Sequence, residues 1–137
     1  MHIAVRTSLP DNPLFIDRNA EQLGKTIMSL LNNGMYAIAK KYGKKAYPAE
    51  IGLALESKDG QAVIRLYDNG VGIEQSILDK IFDPFFTTKT TGEAAGIGLY
   101  LSKEIILNHH GQIAVRSEKD ELTEFTITLP LWEEKSV

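Results

Sequence analysis

Apolar positions recur along this chain with two different periods, and each period implies an element. From Ala20 onward, Leu23, Ile27, Leu30, Leu31, Gly34 and Ile38 return at helical spacing and give one apolar stripe. Asp17 or Asn19 can cap that helix. It is expected to run through Lys40 and Lys41, where the dipole favours cations, and to end near Gly43. Ile51, Leu53 and Leu55 instead alternate with small or polar residues, the pattern of a half-buried strand. Asp59-Gly60 is a hairpin signal, and Ala62 to Tyr67 is the returning strand. It delivers Asp68 at its end, a position expected to lie outside the core. Upstream, His2 to Leu9 reads as a short strand and Pro10-Asp11-Asn12-Pro13 as a turn. Ser76 with Asp79 has the form of a capping box for a short helix that stops at Asp83-Pro84. Thr87 to Ala95 has no period and is expected to be a mobile loop. Leu99 to Asn108 reads as a helix with Gly111 as its stop, and Gln112 to Ser117 and Thr123 to Leu129 as a last strand pair. The tail from Trp132 to Val137 is expected to fray.

Helices are few and the strands run as hairpins. The expected architecture is therefore α/β (α+β), a two-layer sandwich with helices on one face of a mixed, mostly antiparallel sheet. A length of 137 residues suits one domain spanning 1–137. Hydrophobic residues at 43% and charged residues at 24% fall in the ordinary globular range. The net charge of -3 argues against a general nucleic-acid binder. The absence of cysteine excludes disulfides and thiolate metal sites and agrees with a reducing compartment. No apolar run is long enough to cross a membrane. A cytoplasmic domain without membrane contact of its own is expected, any anchor lying in another segment of a longer protein.

Several clusters could carry chemistry. Ser29, Asn33 and Tyr36 share one face of the first helix, beside its apolar stripe, and a short amide there can ligate a hard cation through its carbonyl oxygen. Asp68-Asn69-Gly70-Val71-Gly72-Ile73 follows a strand directly. It is either a plain turn or a loop whose glycines let backbone approach a flat ligand. Phe82, Phe85 and Phe86 can be core, and Lys89 a solvated cation. Gly96-Ile97-Gly98-Leu99 opens a helix, whose free N–H groups suit an anion, although glycine at a helix entry is common. It lacks the Lys-Ser/Thr of a phosphate-binding P-loop and the parallel unit of a dinucleotide fold. His109 and His110 are adjacent, point in different directions on a helix and suit a structural helix end better than a metal site.

Taken in order, four stretches carry a resemblance: Leu30-Leu31-Asn32-Asn33, Asp68 to Ile73, Phe82-Asp83-Pro84-Phe85-Phe86-Thr87-Thr88-Lys89, and Gly96 to Lys103. Together they resemble the ATP-binding catalytic domain of sensor histidine kinases, within the superfamily of gyrase, Hsp90, histidine kinases and MutL. The resemblance runs from about Asp17 to Pro130, and the Asp-Pro-Phe-Phe-Thr-Thr-Lys segment points to the histidine-kinase branch. It implies the Bergerat-type ATP-binding fold and Mg-ATP as the bound cofactor. By the same resemblance, Asp68 accepts a hydrogen bond from the adenine amino group, Gly70 and Gly72 let the backbone close around the base, and Ile73 lies beside it. Asn33 is the implied magnesium ligand, and Tyr36, Ala37 and Lys40 follow it along the nucleotide. Phe85 and Phe86 anchor a covering loop that continues through Thr87, Thr88 and Lys89. Gly96, Ile97, Gly98 and Leu99 form the implied phosphate turn, and Thr123 matches a threonine near the adenine carboxylate.

Three positions depart from the family pattern. Ser29 stands where relatives carry Asn, Glu or His and where catalysis is associated. Tyr36 replaces an aspartate, and Ala94 replaces the first glycine of the phosphate turn. The phosphoacceptor histidine, which the family carries in a His-Glu or His-Asp context followed by proline, is absent, since neither His2, His109 nor His110 has that context. The implied role is to supply the γ-phosphate to a histidine on a separate dimerisation domain, and indirectly to a response regulator, in two-component signalling. The alternatives are a module that holds ATP without transferring phosphate and a serine kinase of the anti-sigma-factor type. Asp83-Pro84-Phe85-Phe86 speaks against the latter.

Overall fold

The computed structural model describes residues 3–16, 20–43, 48–84 and 97–132. The elements are β1 (Ala4–Ser8), α1 (Ala20–Tyr42), β2 (Glu50–Lys58), β3 (Gln61–Asp68), a 3-10 helix (Gln75–Lys80), α2 (Ile97–Asn108), β4 (Gln112–Glu118) and β5 (Leu122–Pro130). The strands form one sheet in the order β1-β2-β3-β5-β4. Only β1 and β2 are parallel, and the other neighbours are antiparallel. The expected mixed, mostly antiparallel sheet is therefore observed, with β1 as an exposed edge strand.

Directly opposed residues of an antiparallel pair share a face, so the register defines rows across the sheet. Leu53, Leu66, Phe125 and Val115 make one such row, and Leu55, Ile64, Ile127 and Ile113 the next. Against this face pack Leu23 and Leu30 of α1 and Ile106 of α2, which join Leu66, Ile81, Phe125, Ile127 and Leu129 in the main core. Helices thus cover this face as one layer, the two-layer sandwich that the sequence implies. The opposite face is polar, with Arg6–Glu50, Arg65–Glu56 and Arg116–Glu124 ion pairs. These are solvent-screened and contribute little net stability.

Helix α1 matches its apolar stripe closely. Leu23, Leu30, Gly34 and Ile38 are buried, and Ile27 and Leu31 half-buried. Thr26 joins them at 1% exposure because its hydroxyl donates back to the Gln22 carbonyl at 3.2 Å, which satisfies the polar group locally. Gly43 takes φ 57, and its N–H bonds the Ala39 carbonyl, so the helix stops where the glycine predicts. The proposed caps Asp17 and Asn19 lie outside the described residues.

Two readings need correction. The short helix after Asp68 is 3-10, begins at Gln75 and has no side-chain cap, so Ser76 falls inside it and forms no capping box with Asp79. A run of six residues gains too few α-type bonds to hold a full α-turn, and the tighter 3-10 form prevails. At the end of α2 the left-handed residue is His110, φ 62, rather than Gly111. The Gly111 N–H closes on the Ile106 carbonyl at 2.9 Å. Gly111 is required instead by space, since a Cβ there would run into the Thr128 carbonyl. His109 is buried, and its Nδ1 lies 2.8 Å from the Ile105 carbonyl. A carbonyl only accepts, so Nδ1 carries the proton. That local bond fits the structural role expected of His109, whose Nε2 is buried without a partner among the described residues, while His110 makes the left-handed turn.

Candidate nucleotide site

The last residue of β3, Asp68, lies in the row Ile51–Asp68–Thr123–Ser117. It is at a strand end, as expected, but it is also 5% exposed, so the expectation that it stands outside the core is wrong. The cause is α1, which crosses above it. A Cβ at Gly34 would lie 3.4 Å from Asp68 Oδ2, so a small residue on the helix leaves the carboxyl its space. Burial pushes the Asp68 pKa up to about 6. The Gly70 N–H, 2.9 Å from Oδ1, and the Lys41 cation oppose that rise only in part. A desolvated, strongly perturbed carboxyl at a strand end, held by the backbone of its own loop, is a common mark of a functional group.

The loop after Asp68 is held from three sides. Asn69 is its brace: its Oδ1 accepts the Glu50 N–H at 2.8 Å, its Nδ2 donates to the Pro48 carbonyl at 2.8 Å, and its own carbonyl accepts the Tyr42 hydroxyl at 3.0 Å. The Val71 N–H bonds the Ala37 carbonyl on α1. The turn between β4 and β5 closes the third side: the Asp120 N–H bonds the Val71 carbonyl, Lys41 Nζ donates to the Asp120 carbonyl, and Lys119 pairs with Glu74 at 2.9 Å. Gly70 and Gly72 are needed for this packing as well as for any ligand. A Cβ at Gly70 would lie 2.5 Å from the Ala37 carbonyl carbon, and one at Gly72, where φ is 69, would strike the Glu118 carbonyl.

Beyond Asp68, the predicted residues divide by location. Ser29, Asn33 and Tyr36 are all half-buried along the edge of the α1 stripe, with Lys40 exposed one turn further on. Ala37 contacts the loop through its carbonyl and its packing on Gly70. Ile73 is half-buried against the main core, and its N–H bonds the Ser117 hydroxyl at 2.8 Å. Thr123 is buried beside Asp68 on the neighbouring strand. Leu99 packs on the core from α2, whose backbone begins at Ile97 and includes Gly98. Phe85, Phe86, Thr87, Thr88, Lys89, Ala94 and Gly96 lie outside the described residues. Phe82, which precedes them, is core: it meets Phe125 edge-on at 6.3 Å, with Lys103 Nζ 5.4 Å from its ring centre. The roles of Asn69, Tyr42, Lys41 and Ser117 were not foreseen from the sequence. Only Ser117 had a signal, since it continues the inward phase of Ile113 and Val115.

With a buried strand-end carboxyl, a glycine loop held on a long helix and two helices over one sheet face established, the chain can be set beside known proteins. Residues 18–133 match the family described as histidine kinase-, DNA gyrase B-, and HSP90-like ATPases. The chain belongs to this ATPase family. Among curated relatives, the signal transduction histidine-protein kinase AtoS of Escherichia coli (strain K12) is 39% identical over 88% of this chain and 19% of its own length. Sporulation kinase D of Bacillus subtilis (strain 168) is 34% identical over 90% of this chain and 22% of its own. The ATPase-family chain thus spans about a fifth of the length of these relatives. Among solved structures, the nucleotide-free catalytic domain of the histidine kinase ThkA superimposes with a TM-score of 0.76 at 23% identity, covering 93% of this chain and 78% of that one. The mycobacterial sensor histidine kinase MprB gives 0.76 at 23%, covering 94% and 82%. The shared fold is the Bergerat-type ATP-binding sandwich. No described helix is long and apolar enough to cross a membrane.

Proposed function

We propose that this chain is one ATP-binding catalytic unit, spanning residues 1–137, of a histidine kinase. It binds Mg-ATP and supplies the γ-phosphate to a histidine on a separate dimerisation domain, and through it to a response regulator. The observation that carries the reading is the buried Asp68 carboxyl, anchored by Gly70 and facing Gly34 on the helix that bears Asn33. An ionised carboxylate only accepts hydrogen bonds, so Asp68 receives the adenine amino group, and Thr123 stands beside it on β5. Tyr36, Ala37, Lys40, Gly72 and Ile73 line the approach between α1 and the loop. Phe86, Thr87 and Thr88 belong to the covering loop, Lys40 and Lys89 add phosphate contacts, and Gly96, Ile97, Gly98 and Leu99 serve the phosphates.

The donor set fits magnesium in the manner of nucleotide enzymes. Among the described residues no cluster of three or more His, Cys, Asp or Glu could hold a metal. Asn33, half-buried on α1, is the side chain that would contribute an oxygen to the ion. A magnesium ion held there would supply charge neutralisation for phosphoryl transfer. The protein's own share is positioning: Asp68 fixes the base, the braced loop keeps the carboxyl aimed, and the helix edge sets the depth of the phosphates. Ser29 lies half-buried on the same edge, at the position that the resemblance associates with catalysis.

Incubation of the isolated chain with γ-labelled ATP tests the reading. The chain should bind Mg-ATP and take up no label. Its buried His109 has Nδ1 committed to Ile105, and neither histidine near Gly111 has a phosphoacceptor context. Adding a dimerisation domain that bears an acceptor histidine should produce acid-labile label on that domain. Label on His109 or His110, or failure to bind ATP, would contradict the proposal.

A further inference from the structure

The hydroxyl of Ser117 has contacts that fix where every proton around it sits. Ser117 is 2% exposed at the end of β4, one strand from Thr123 and two from Asp68. The Ile73 N–H points at Ser117 Oγ from 2.8 Å and fills one lone pair. The Leu122 carbonyl lies 2.7 Å away. A carbonyl can only accept, so that contact consumes the single proton of Ser117. Thr123 Oγ1 is 2.8 Å from the same oxygen. Ser117 has only a lone pair left to offer it, so the Thr123 proton points at Ser117.

Thr123 is therefore turned away from the site as a donor and toward it as an acceptor. It faces the same side of the sheet as its register partner Asp68, and both are buried. We propose that Ser117 is a positioning residue for base recognition: it pins the Thr123 proton so that Thr123 and Asp68 present paired acceptors to the ligand. Paired acceptors fit an exocyclic amino group, which has two N–H donors. They reject a ring carbonyl at the same place, which would face acceptors only. The inference rests on the nucleotide reading above and deepens it, by giving adenine selectivity a second source besides the Asp68 charge. The same serine ties the site together, since its carbonyl accepts Gln75 Nε2 at 2.7 Å.

The test compares ATP with inosine triphosphate, which differs at the six position by carrying a carbonyl in place of the amino group. Affinities are measured by calorimetry on the full chain, with thermal melting as a check of folding. In Ser117→Ala the Thr123 proton is released and can turn to donate to a carbonyl. The ATP-to-inosine-triphosphate affinity ratio should fall about three- to tenfold. Thr123→Val should lower the ratio similarly, and adding Ser117→Ala to Thr123→Val should leave it unchanged within about twofold. A serine that merely holds the strand would weaken both nucleotides alike, and an unchanged ratio in Ser117→Ala would overturn the proposal. So would a further fall of the ratio in the double variant. Should Ser117→Ala fail to fold, NMR of the unaltered protein decides. A slowly exchanging Thr123 hydroxyl proton with contacts to the Ser117 methylene supports the pinning, and its absence refutes it. If the parent binds neither nucleotide, the nucleotide reading itself falls and takes this inference with it. If the parent binds ATP and the ratio does not respond, only the inference falls.

Discussion

Burial holds the Asp68 carboxyl in a state that disfavours its charge, and this has consequences that run in opposite directions for stability and for binding. Its folded pKa of about 6 lies above the ordinary aspartate value of about 4. Between these values the native state binds more protons than the unfolded chain. The Asp68 contribution to stability therefore rises as pH falls through about 6 and levels off below about 4. Asp68→Asn keeps an oxygen for the Gly70 N–H and removes the charge. At pH 8 the variant should be more stable by about 1–3 kcal/mol in chemical denaturation, with the gain gone near pH 4. Binding should move the other way. Parent ATP affinity should drop as pH falls through about 6, because a protonated Asp68 presents a donor to the adenine amino group. At pH 8 the parent should prefer ATP to GTP by about tenfold or more, and Asp68→Asn should blunt that preference. Competition titrations check this, and equal binding of GTP by the parent would remove the role of Asp68. This residue was legible in the sequence only through the ordered set of four stretches, because Asp-Asn-Gly after a strand also reads as a plain turn. Its burial was not, because α1 lies above it through contacts between residues 34 positions apart, Gly34 and Asp68. Asn69 and Ser117 were illegible as braces for the same reason, since their partners come from other elements, although the strand period marked Ser117 as inward-facing.

Among the elements, α1 was legible almost to the residue because its stripe runs for several turns and a glycine ends it. The 3-10 helix and the end of α2 were not, because short elements are decided by local bonding and steric fit rather than by periodicity. The glycines illustrate how far spacing alone can mislead. Gly24 sits inside α1, exposed, and a methyl group added there would meet nothing within 4 Å, so its only effect is loss of backbone order. Gly24→Ala should stabilise the chain by about 0.5–1 kcal/mol. Gly70→Ala faces the Ala37 carbonyl carbon at 2.5 Å, and neither backbone can yield without moving α1 from the loop. It should destabilise by about 2 kcal/mol or more and weaken ATP binding further. Urea denaturation of both variants separates these cases, and a Gly70→Ala protein as stable as Gly24→Ala would show that the loop is not clamped on α1.

At the scale of the whole molecule, the sequence conveyed the two layers, the hairpins and the mostly antiparallel sheet, since each follows from strand period and turn chemistry. It left open where β1 would join. The pairing of β1 with β2 is parallel and crosses the entire helix α1, so no turn residue announces it. The β1-β2-β3-β5-β4 order brings the strand-end row Ile51–Asp68–Thr123–Ser117 to one pole, where Gly34 of α1 faces Ile51 and Asp68, while the turn Asp59-Gly60 and the exposed Phe15 and Trp132 lie toward the other. On the proposed function, ATP is held at the first pole. Titration of Mg-ATP into the isotope-labelled protein, followed amide by amide by NMR, measures this directly. Shifts should concentrate at Asn33 to Ala37, Asp68 to Ile73 and Thr123, with Gly60, Phe15 and Trp132 unmoved. Shifts centred on Gly60, Phe15 and Trp132, or none at saturating nucleotide, would contradict it.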